Sequence, residues 1–446
     1  MSRADAEAIW WAGVRAVDPV HLVEHALLQE RDCQQAQRIL VVGAGKAGAG
    51  MAAGVERALA GCLDRVTGVV NVPAGTFAPL RRIRLHPARP PGVNEPRPEG
   101  IVGSEEMLQL LSTAGPEDTA LCLLSGGGSA LLPAPAPGIS LEDKLAVTRL
   151  LHRCGASITE MNCVRKHLSR IKGGQLAQAF RGQRLLTLII SDVIGDPLDV
   201  IASGPTVPDP TTFADACQVL ERYGLWTQVP ASVRQHLEAG RRGEIPETPK
   251  ALPSSIQYRL IGNNRLALNS ARQQALALGY SVLDCGAFIE GETRSVAQVC
   301  AGLIRSICHD GQPLPPPACI LLGGETTVTL CPSSGQGGRN QEFVLALCGY
   351  LDLQELRQVT LLSGGTDGED GPTDAAGAVA DLSIWQKAAE LGLQWQDYLQ
   401  QHNSYHFWKR AGGLLMTGLT GTNVMDLRIL LIRPPNDPYR ANGEPS

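Results

Sequence analysis

The chain has 446 residues, which is too long for one hydrophobic core and suits two or three domains. Apolar residues make up 43% of it, enough for complete cores, and a formal net charge of −5 argues against a nucleic-acid-binding protein. The 12 cysteines form no C-x-x-C pair, which favours buried, reduced thiols in a cytoplasmic protein over a zinc or redox motif.

The first half of the chain is predicted to be an α/β domain. An early acid and the lack of an apolar segment predict no signal peptide, and an amphipathic helix is expected over 5–30. Strand-like runs alternating with helical segments then predict a parallel sheet with helices on both faces. The strands are expected at 38–42, 66–72, 82–86, 120–125 and 184–191, and the helices at 47–62, 98–113, 141–153 and 156–180. The uncharged stretch 119–141 contains four glycines and three prolines, so it does not predict a membrane helix.

A polar, proline-rich segment at 241–255 predicts the boundary between a domain over residues 1–240 and a second α/β domain over residues 256–435. Neighbouring strands at 318–323 and 326–331 leave no room for a crossover helix, so part of the second sheet is predicted to be antiparallel. The other strands are expected at 257–262, 280–285, 358–363, 413–417 and 424–433, and helices at 264–279, 290–309, 340–351, 383–392 and 403–411.

The first candidate for chemistry is the tract Gly43-Ala44-Gly45-Lys46-Ala47-Gly48, which follows the first predicted strand. It fits G-x-G-x-x-G, so a dinucleotide site is the first hypothesis. The second strand ends at Asn71, however, without the acid that would bind the ribose. Lys46 at a helix N-terminus suits a phosphate or carboxylate instead. A tight turn without any ligand is the remaining alternative.

Two further tracts predict anion contacts in this domain. Ser125-Gly126-Gly127-Gly128-Ser129 follows another strand and presents consecutive amides as a nest, with a flexible surface turn as the alternative. The segment 162–174 contains Arg165, Lys166, Arg170 and Lys172 and ends in Gly-Gly, which favours an anion contact over a solvated face.

Asp192 directly follows the predicted strand 184–191, at the position where α/β sheets place chemistry, although it could instead cap the next turn. Charge is segregated around it, since residues 161–191 carry six Lys or Arg and no acid. Residues 358–386 carry five acids and no base. These two segments either meet across a cleft or form two solvated faces.

The C-terminal domain contains the glycine-rich tract Gly337-Gly338-Arg339-Asn340-Gln341-Glu342, followed by an acidic tract over 364–374. Glycines let backbone amides converge on an anion and clustered carboxylates hold Mg²⁺, a combination typical of phosphoryl transfer. Arg339 could bind a phosphate or carboxylate through two nitrogens. A structural ion pair with a carboxylate such as Glu342 is the alternative.

Taken together, these tracts resemble the glycerate 2-kinase family of the GckA/TtuD type, also called the MOFRL family, over about residues 5–433. The resemblance implies ATP- and Mg²⁺-dependent phosphorylation of D-glycerate to 2-phosphoglycerate. It also implies two α/β domains, the first Rossmann-like, with the site in the cleft between them and the MOFRL segment at about 318–433. The matching tracts are 42–47, 124–131, 162–169, 172–174, 191–196, 202–206, 337–342 and 365–368.

The resemblance implies that Lys46 and Arg339 are principal active-site residues. Asp192 is a further catalytic candidate, and Asp192 and Asp367 are candidates for metal ligand or base, with the division between them open. Substrate or phosphate contacts are expected from the two glycine loops, from the cationic segment and from the glycines that precede Arg339. Nucleotide contacts are expected from other residues of the second domain. The first set is Gly45, Ser125, Gly126, Gly127, Gly128, Ser129, Arg165, Lys166, Lys172, Gly337 and Gly338, and the second is Gly324, Glu325, Asn340, Thr366 and Gly368.

One tract departs from the family pattern, because His86-Pro87-Ala88-Arg89-Pro90 lacks the aspartate of an expected His-Pro-x-Pro-Asp. An NAD(P)-dependent hydroxypyruvate reductase is the rival enzyme class, and a non-catalytic sugar-phosphate sensor is the third. The expected partners are the small molecules D-glycerate and ATP, with no nucleic acid and no membrane. A homodimer is one option for the oligomeric state.

Overall fold

The computed structural model describes residues 3–90, 92–93, 95–330 and 334–434. It divides into two compact units, Asp18–Gly262, here called the central unit, and Met1–Val17 with Asn263–Ser446, here called the terminal unit. None of the helices in these described ranges is long and apolar enough to cross a membrane.

The central unit is built on a six-stranded sheet in which all neighbouring strands are parallel, as predicted. Its strands are β1 (Ile39–Ala44), β2 (Val66–Pro73), β3 (Ile83–Arg89), β4 (Thr119–Leu124), β5 (Arg184–Ile190) and β6 (Ile256–Gly262). Their order is β3-β2-β1-β4-β5-β6, the order of the doubly wound dinucleotide-binding fold. Every residue of β1 and β4 is buried, as expected of central strands covered on both faces.

The helices of the central unit connect these strands. In chain order, after α1 (Arg3–Ala16) of the terminal unit, they are α2 (Pro19–Leu28), α3 (Arg31–Gln35), α4 (Gly48–Ala58), α5 (Pro98–Ser112), α6 (Gly128–Leu131), α7 (Leu141–Arg153), α8 (Ile158–His167), α9 (Gln175–Gln178), α10 (Phe213–Arg222) and α11 (Ala231–Arg241). Short 3₁₀ turns occupy Ala60–Arg65 and Ile201–Ser203.

The terminal unit contains the mixed sheet that the sequence predicts. Its strands are β7 (Ser281–Asp284), β8 (Ile289–Glu292), β9 (Ala318–Thr327), β10 (Val359–Gly365), β11 (Gly377–Asp381), β12 (Leu414–Leu415) and β13 (Asp426–Ile432). The order is β12-β11-β10-β13-β9-β7, and β8 also pairs with β9. Strands β7 and β8 run parallel to β9, whereas the remaining pairs are antiparallel.

The helices of the terminal unit follow α1. They are α12 (Asn264–Ala277), α13 (Thr293–Asp310), α14 (Arg339–Tyr350), α15 (Leu353–Leu356), α16 (Leu382–Glu390), α17 (Trp395–Gln400) and α18 (Ser404–Ala411). Helix α14 is buried on nearly all sides, and its first turn buries the polar side chains Asn340, Gln341 and Glu342. Because buried polar groups require hydrogen-bond partners, neighbouring loops must supply partners for the side chains of this turn.

The unit boundaries differ from those expected. Strand β6 pairs with β5 and so extends the first sheet, and the boundary falls after Gly262 instead of within 241–255. The helix expected over 5–30 is two helices, because Asp18 caps α2 by accepting a hydrogen bond from the His21 amide at 2.9 Å and Pro19 begins the helix. The first of these helices, α1, belongs to the terminal unit. Residue 435, the predicted end of the second domain, lies outside the described ranges.

One predicted interruption is absent from the structure, and one interruption that was not predicted is present. Residues 318–327 form one continuous strand, because Gly324 adopts a positive φ of 115° and brings β9 close to β8 without a turn. A Cβ atom at Gly324 would lie 2.3 Å from the carbonyl oxygen of Ile289. The single helix expected over 156–180 is two helices, because α8 ends at His167 and α9 begins at Gln175, directly after Gly173 and Gly174, both with positive φ. Residue 331 of the predicted second strand lies outside the described residues.

Candidate active site

Two glycine loops meet at the carboxyl ends of the adjacent strands β1 and β4. The Lys46 amide donates to the carbonyl of Gly126 at 2.8 Å, and the Ala47 amide donates to Ser125 Oγ at 3.1 Å. A Cβ at Gly45 would lie 1.9 Å from the same Ser125 hydroxyl oxygen, so only glycine permits this approach. These two amides of the G-x-G-x-x-G loop are therefore bonded to the protein itself and are not available to a pyrophosphate.

The second loop keeps its own amides available. The amides of Gly126, Gly127 and Ser129 have no backbone acceptor among the described residues. Gly127 has a φ of 74°, and a Cβ there would lie 3.4 Å from Arg89 Nη2 and 3.6 Å from Lys46 Cγ. Two cationic side chains therefore flank this nest, which is the arrangement that binds an anion.

Arg89 was not among the predicted site residues. It is the last residue of β3, is 3% exposed, and lies in the tract that departs from the family pattern. The signal available in the sequence was a cation at the carboxyl end of a parallel strand. Pro91 and Asn94 of that tract lie outside the described residues.

A buried group of polar side chains adjoins the nest at Ser129. Lys172 Nζ donates to the carbonyl oxygen and to the Oγ of Ser129, each at 3.0 Å, and Arg165 Nη2 donates to the same Oγ. Ser129 Oγ also lies 2.7 Å from Ser203 Oγ, and Ser203 donates to Asn162 Oδ1 at 3.0 Å. The structure thus brings together Ser129, Arg165 and Lys172, three of the residues predicted to contact the substrate.

Lys144 adds a cation that sequence reasoning missed. The residue is 8% exposed, and its Nζ has no hydrogen-bond partner within the described ranges. It lies on the buried face of α7 with Val147 and Leu151. The i, i+3, i+7 spacing of these three residues was the signal, because a lysine on an apolar helix face requires an explanation.

The electrostatics of this group are those of cations without counter-ions. Burial lowers the pKa of Arg165 to about 10, and burial followed by repulsion from Arg165 lowers the pKa of Lys144 to about 7. Burial, then Arg165 and Lys144, lower the pKa of Lys172 well below its ordinary value. Each of these pKa shifts disfavours the charged form of the side chain. A bound anion would favour the charged form and so raise the pKa again.

Lys166 has a different environment from its neighbour Arg165. Its Nζ lies 3.3 Å from Asp209 Oδ1 and 3.4 Å from Asp199 Oδ2, and Asp209 is fully buried. Adjacent residues on a helix point in directions about 100° apart, so the two cations serve different partners. These carboxylates compensate the charge of Lys166, so this charge is not available to bind an anion.

Asp192 lies half-buried in the turn that follows β5, as expected from the sequence. The turn is held by the Val193 amide, which donates to Ser191 Oγ at 3.2 Å. Asp367 occupies the corresponding position after β10 in the terminal unit, where its Oδ1 accepts from the Glu369 amide at 3.1 Å. Their roles as base or metal ligand stay predictions.

Arg339 is held by carboxylates in the terminal unit. Its Nε and Nη2 donate to the two oxygens of Asp426 at 2.7 and 2.9 Å, and its Nη1 lies 2.9 Å from Glu325 Oε1. Asp426 is fully buried and also accepts from Arg428 at 3.1 Å. The structural ion pair considered for Arg339 is therefore present, with Asp426 and Glu325 in place of Glu342.

The charges in this ion-pair group reinforce one another. Burial opposes ionisation of Arg339 and Asp426, yet their attraction raises the pKa of Arg339 and lowers that of Asp426. Asp426 and Arg428 were not singled out from the sequence. The signal was present, because they are two charged residues on one face of an otherwise apolar strand.

The N-terminus of α14 binds a carboxylate of the protein itself, the side chain of Asp370. Asp370 accepts from the amides of Asn340 and Gln341 at 3.0 and 2.9 Å. A Cβ at Gly338 would lie 2.2 Å from Asp370 Cγ, so glycine is required beside this carboxylate. Burial raises the pKa of Asp370 to about 6, against the lowering effect of the two amides. The glycine-rich tract thus supports an internal helix cap.

Several residues expected to bind the nucleotide hold loops together instead. Thr366 Oγ1 donates to the Met425 carbonyl at 2.6 Å and accepts from the Val424 amide at 2.8 Å. Gly368 has a φ of 88°, and its Cβ position lies 2.0 Å from the carbonyl oxygen of Gly418. Asn340 donates from its side chain to Asp426 at 2.9 Å.

A cavity of about 350 Å³ lies within the terminal unit, a volume in the range of small-molecule sites. It brings together four predicted residues, Glu325, Gly337, Gly338 and Arg339, with an apolar wall. The wall includes Val328, Leu330 and Pro372, and His402 also lines the cavity. Asn340, Thr366 and Gly368 do not line it.

Among the residues that the structure describes, no group of three or more His, Cys, Asp or Glu side chains could hold a metal ion. Mg²⁺ in phosphoryl-transfer enzymes is held by one or two carboxylates and by the phosphates of the substrate. Asp192 and Asp367 each supply one carboxylate at the end of a strand, which is compatible with such a site.

Comparison with known proteins gives matches along most of the chain. The profile of a domain of unknown function (DUF4147) matches residues 5–238, and that of the MOFRL family matches residues 318–426. The chain is 40% identical to a glycerate 2-kinase of Pyrococcus horikoshii, over 94% of each chain. It is 41% identical to a putative hydroxypyruvate reductase of Agrobacterium vitis, over 95% of this chain and 93% of the other. The crystal structure of a glycerate kinase from Thermotoga maritima superposes with a TM-score of 0.85 at 36% identity, covering 97% of this chain and 100% of the other.

Proposed function

The chain belongs to the MOFRL family of glycerate 2-kinases, and on this premise we propose that it transfers the γ-phosphoryl group of ATP to the 2-hydroxyl of D-glycerate. It is then a phosphotransferase with an alcohol group as acceptor. The observation that supports this proposal is the site in the central unit, where an amide nest flanked by Lys46 and Arg89 adjoins the half-buried Arg165 and the buried Lys172. Such a site suits a small hydroxy acid with one carboxylate.

We assign the reaction roles as follows. The 2-hydroxyl oxygen attacks the γ-phosphorus, its proton passes to a carboxylate, and ADP leaves. Asp192 is the candidate base at the end of β5, and Lys46 beside the nest stabilises charge on the transferred group. Mg²⁺, when bound with ATP, neutralises phosphate charge, and Asp192 or Asp367 supplies its protein ligand.

We propose the cavity of the terminal unit for the nucleoside part of ATP. Its apolar wall, with Leu330 and Pro372, suits an adenine ring, and Glu325 and Arg339 provide polar groups at its edge. The ion pair between Arg339 and Asp426 orients the guanidinium, which retains N–H groups on Nη1 and Nη2 for a phosphate oxygen. Arg339 is then both held in place and able to bind.

A hydroxypyruvate reductase is the second candidate, because one relative carries that name. Two observations weigh against it. In the first glycine loop, the amides of Lys46 and Ala47 donate to the second loop, so neither is available for a pyrophosphate. Asn71 of β2 donates its side-chain amide to the carbonyls of Gly100 and Leu131, and it supplies no carboxylate for a ribose.

The test is a pair of assays on one preparation. ADP release with D-glycerate and ATP is followed beside NADH oxidation with hydroxypyruvate. Direct conversion of the product by enolase, without a mutase, identifies 2-phosphoglycerate. ADP release with enolase-competent product is expected. NADH oxidation without ADP release would replace the kinase with the reductase.

We also propose a reducing compartment, the cytoplasm, for this protein. The eleven cysteines that the structure describes are all free, and eight of them are buried. Reduced cysteines of this kind are the rule where glutathione and thioredoxin keep thiols reduced.

A further inference from the structure

Three cations in the central unit lie close enough to one another for their charges to repel. Arg165 and Lys172 converge on Ser129, and Lys144 reaches the same group from α7, which packs on the helix that carries Arg165. Within the described residues, none of the three forms an ion pair with a carboxylate. A buried cation without a counter-ion is strongly disfavoured, so its retention indicates a ligand of opposite charge.

Two buried hydrogen-bond donors in this group have no acceptor in the part of the chain that the structure describes. One is Lys144 Nζ, and the other is Asn162 Nδ2, whose partner atom Oδ1 accepts from Arg165 and Ser203. Buried donors in folded proteins are paired in the great majority of cases. Two unpaired donors in a group of cations that lacks a carboxylate therefore indicate a receptor for a small anion with several acceptor oxygens.

The charges in this group indicate whether it binds a metal-bound phosphate or a metal-free anion. A nucleotide phosphate arrives with Mg²⁺, which prefers sites with carboxylate oxygens. Asp199 and Asp209, which lie beside the neighbouring residue Lys166, are already paired with it. A cation-only group would repel the metal, so it favours a metal-free anion.

We propose that Lys144, with Arg165 and Lys172, forms the receptor for the carboxylate of the hydroxy-acid substrate, and that Lys144 determines specificity for the acid. This inference rests on the proposed function and deepens it. The carboxylate supplies acceptors for the unpaired donors. A neutral analogue such as D-glyceramide or glycerol lacks the negative charge, so Lys144 should not increase the affinity for it.

The test compares Lys144→Met with Arg153→Met, which removes an exposed cation from the last turn of the same helix. Because a hydrogen bond to a charged group contributes about 1.5–3 kcal/mol, Lys144→Met should raise the KM for D-glycerate about 10- to 100-fold. The KM for ATP and the turnover of D-glyceramide should change little. Arg153→Met should match the wild type in all three measurements, and circular dichroism verifies that both variants fold.

Each other result has a defined meaning. An unchanged KM for D-glycerate in folded Lys144→Met overturns the inference. A raised KM for ATP with an unchanged KM for D-glycerate assigns the group to phosphate and overturns the carboxylate assignment. If the wild type shows no kinase activity, the proposed function fails. Calorimetric titration of D-glycerate then decides the inference, which survives only if the wild type binds it and Lys144→Met does not.

Discussion

Replacing Lys144 by methionine should stabilise the protein while it weakens substrate binding. Burial and the neighbouring Arg165 lower the pKa of Lys144 from 10.5 to about 7, so the folded state holds this proton less tightly than the unfolded state. The resulting destabilisation is complete below the folded-state pKa and disappears as the pH rises through the unfolded-state value. Stability of the wild type should therefore rise with pH in this window.

The magnitude follows from the two pKa values. At about 1.4 kcal/mol per pKa unit, the cost of holding Lys144 in the fold is roughly 4 kcal/mol at pH 7 and roughly 2 kcal/mol at pH 9. Lys144→Met removes this cost and keeps a chain of similar length against Val147 and Leu151. The variant should gain most of these amounts over the wild type, with the larger gain at pH 7.

Urea unfolding followed by circular dichroism at pH 7 and pH 9 measures both gains. Arg153→Met serves as the control, and its free energy of unfolding should track the wild type at both pH values. The reasoning is refuted if Lys144→Met is less stable than the wild type at pH 7. It is also refuted if the gain does not shrink between pH 7 and pH 9, because then the lysine does not titrate as its surroundings require.

Three further results are expected. Lys46→Met should keep the circular-dichroism spectrum and reduce kcat by about 10²-fold or more, since it removes a cation beside the reacting group; near-normal kcat would remove Lys46 from the site. Asp426→Asn should lower the free energy of unfolding by about 3–5 kcal/mol in a urea titration, because Arg339 and Arg428 lose their buried counter-ion; Glu244→Gln, at an exposed pair, should cost little. Calorimetry should show weaker ATP binding in EDTA than in Mg²⁺, and equal affinities would contradict the metal role proposed for Asp367.

The sheets could be predicted because apolar strands leave a direct signal. Strands β1, β4 and β5 are continuous apolar runs, and their alternation with helices permits few arrangements. Strand β8 has no such signal, because it is four residues long, is partly exposed, contains Gly291 and is followed directly by α13. Its pairing depends on Gly324 in β9, which no local pattern reveals.

The candidate site was predictable in its residue types and less so in their partners. The glycines and the cations were visible, but Gly338 faces Asp370 and Gly45 faces Ser125, contacts made by residues far apart in the chain. Arg165 and Lys166 are adjacent in sequence and equal in charge, yet only the fold shows that one has counter-ions. Lys144 was missed because a single lysine in an amphipathic helix is ordinarily solvated.

The split of the terminal unit along the chain has a consequence for biosynthesis. Helix α1 buries Ile9 and Trp10 in a unit whose remaining strands and helices begin at residue 264 and end at β13. At about 5–20 residues per second, a ribosome needs on the order of 20 to 80 s to deliver β13 after α1 has emerged. The central unit is complete well before then. The apolar face of α1 must therefore stay exposed, without aggregating, until the last strand is made. Chaperones that bind nascent chains would have this segment to protect.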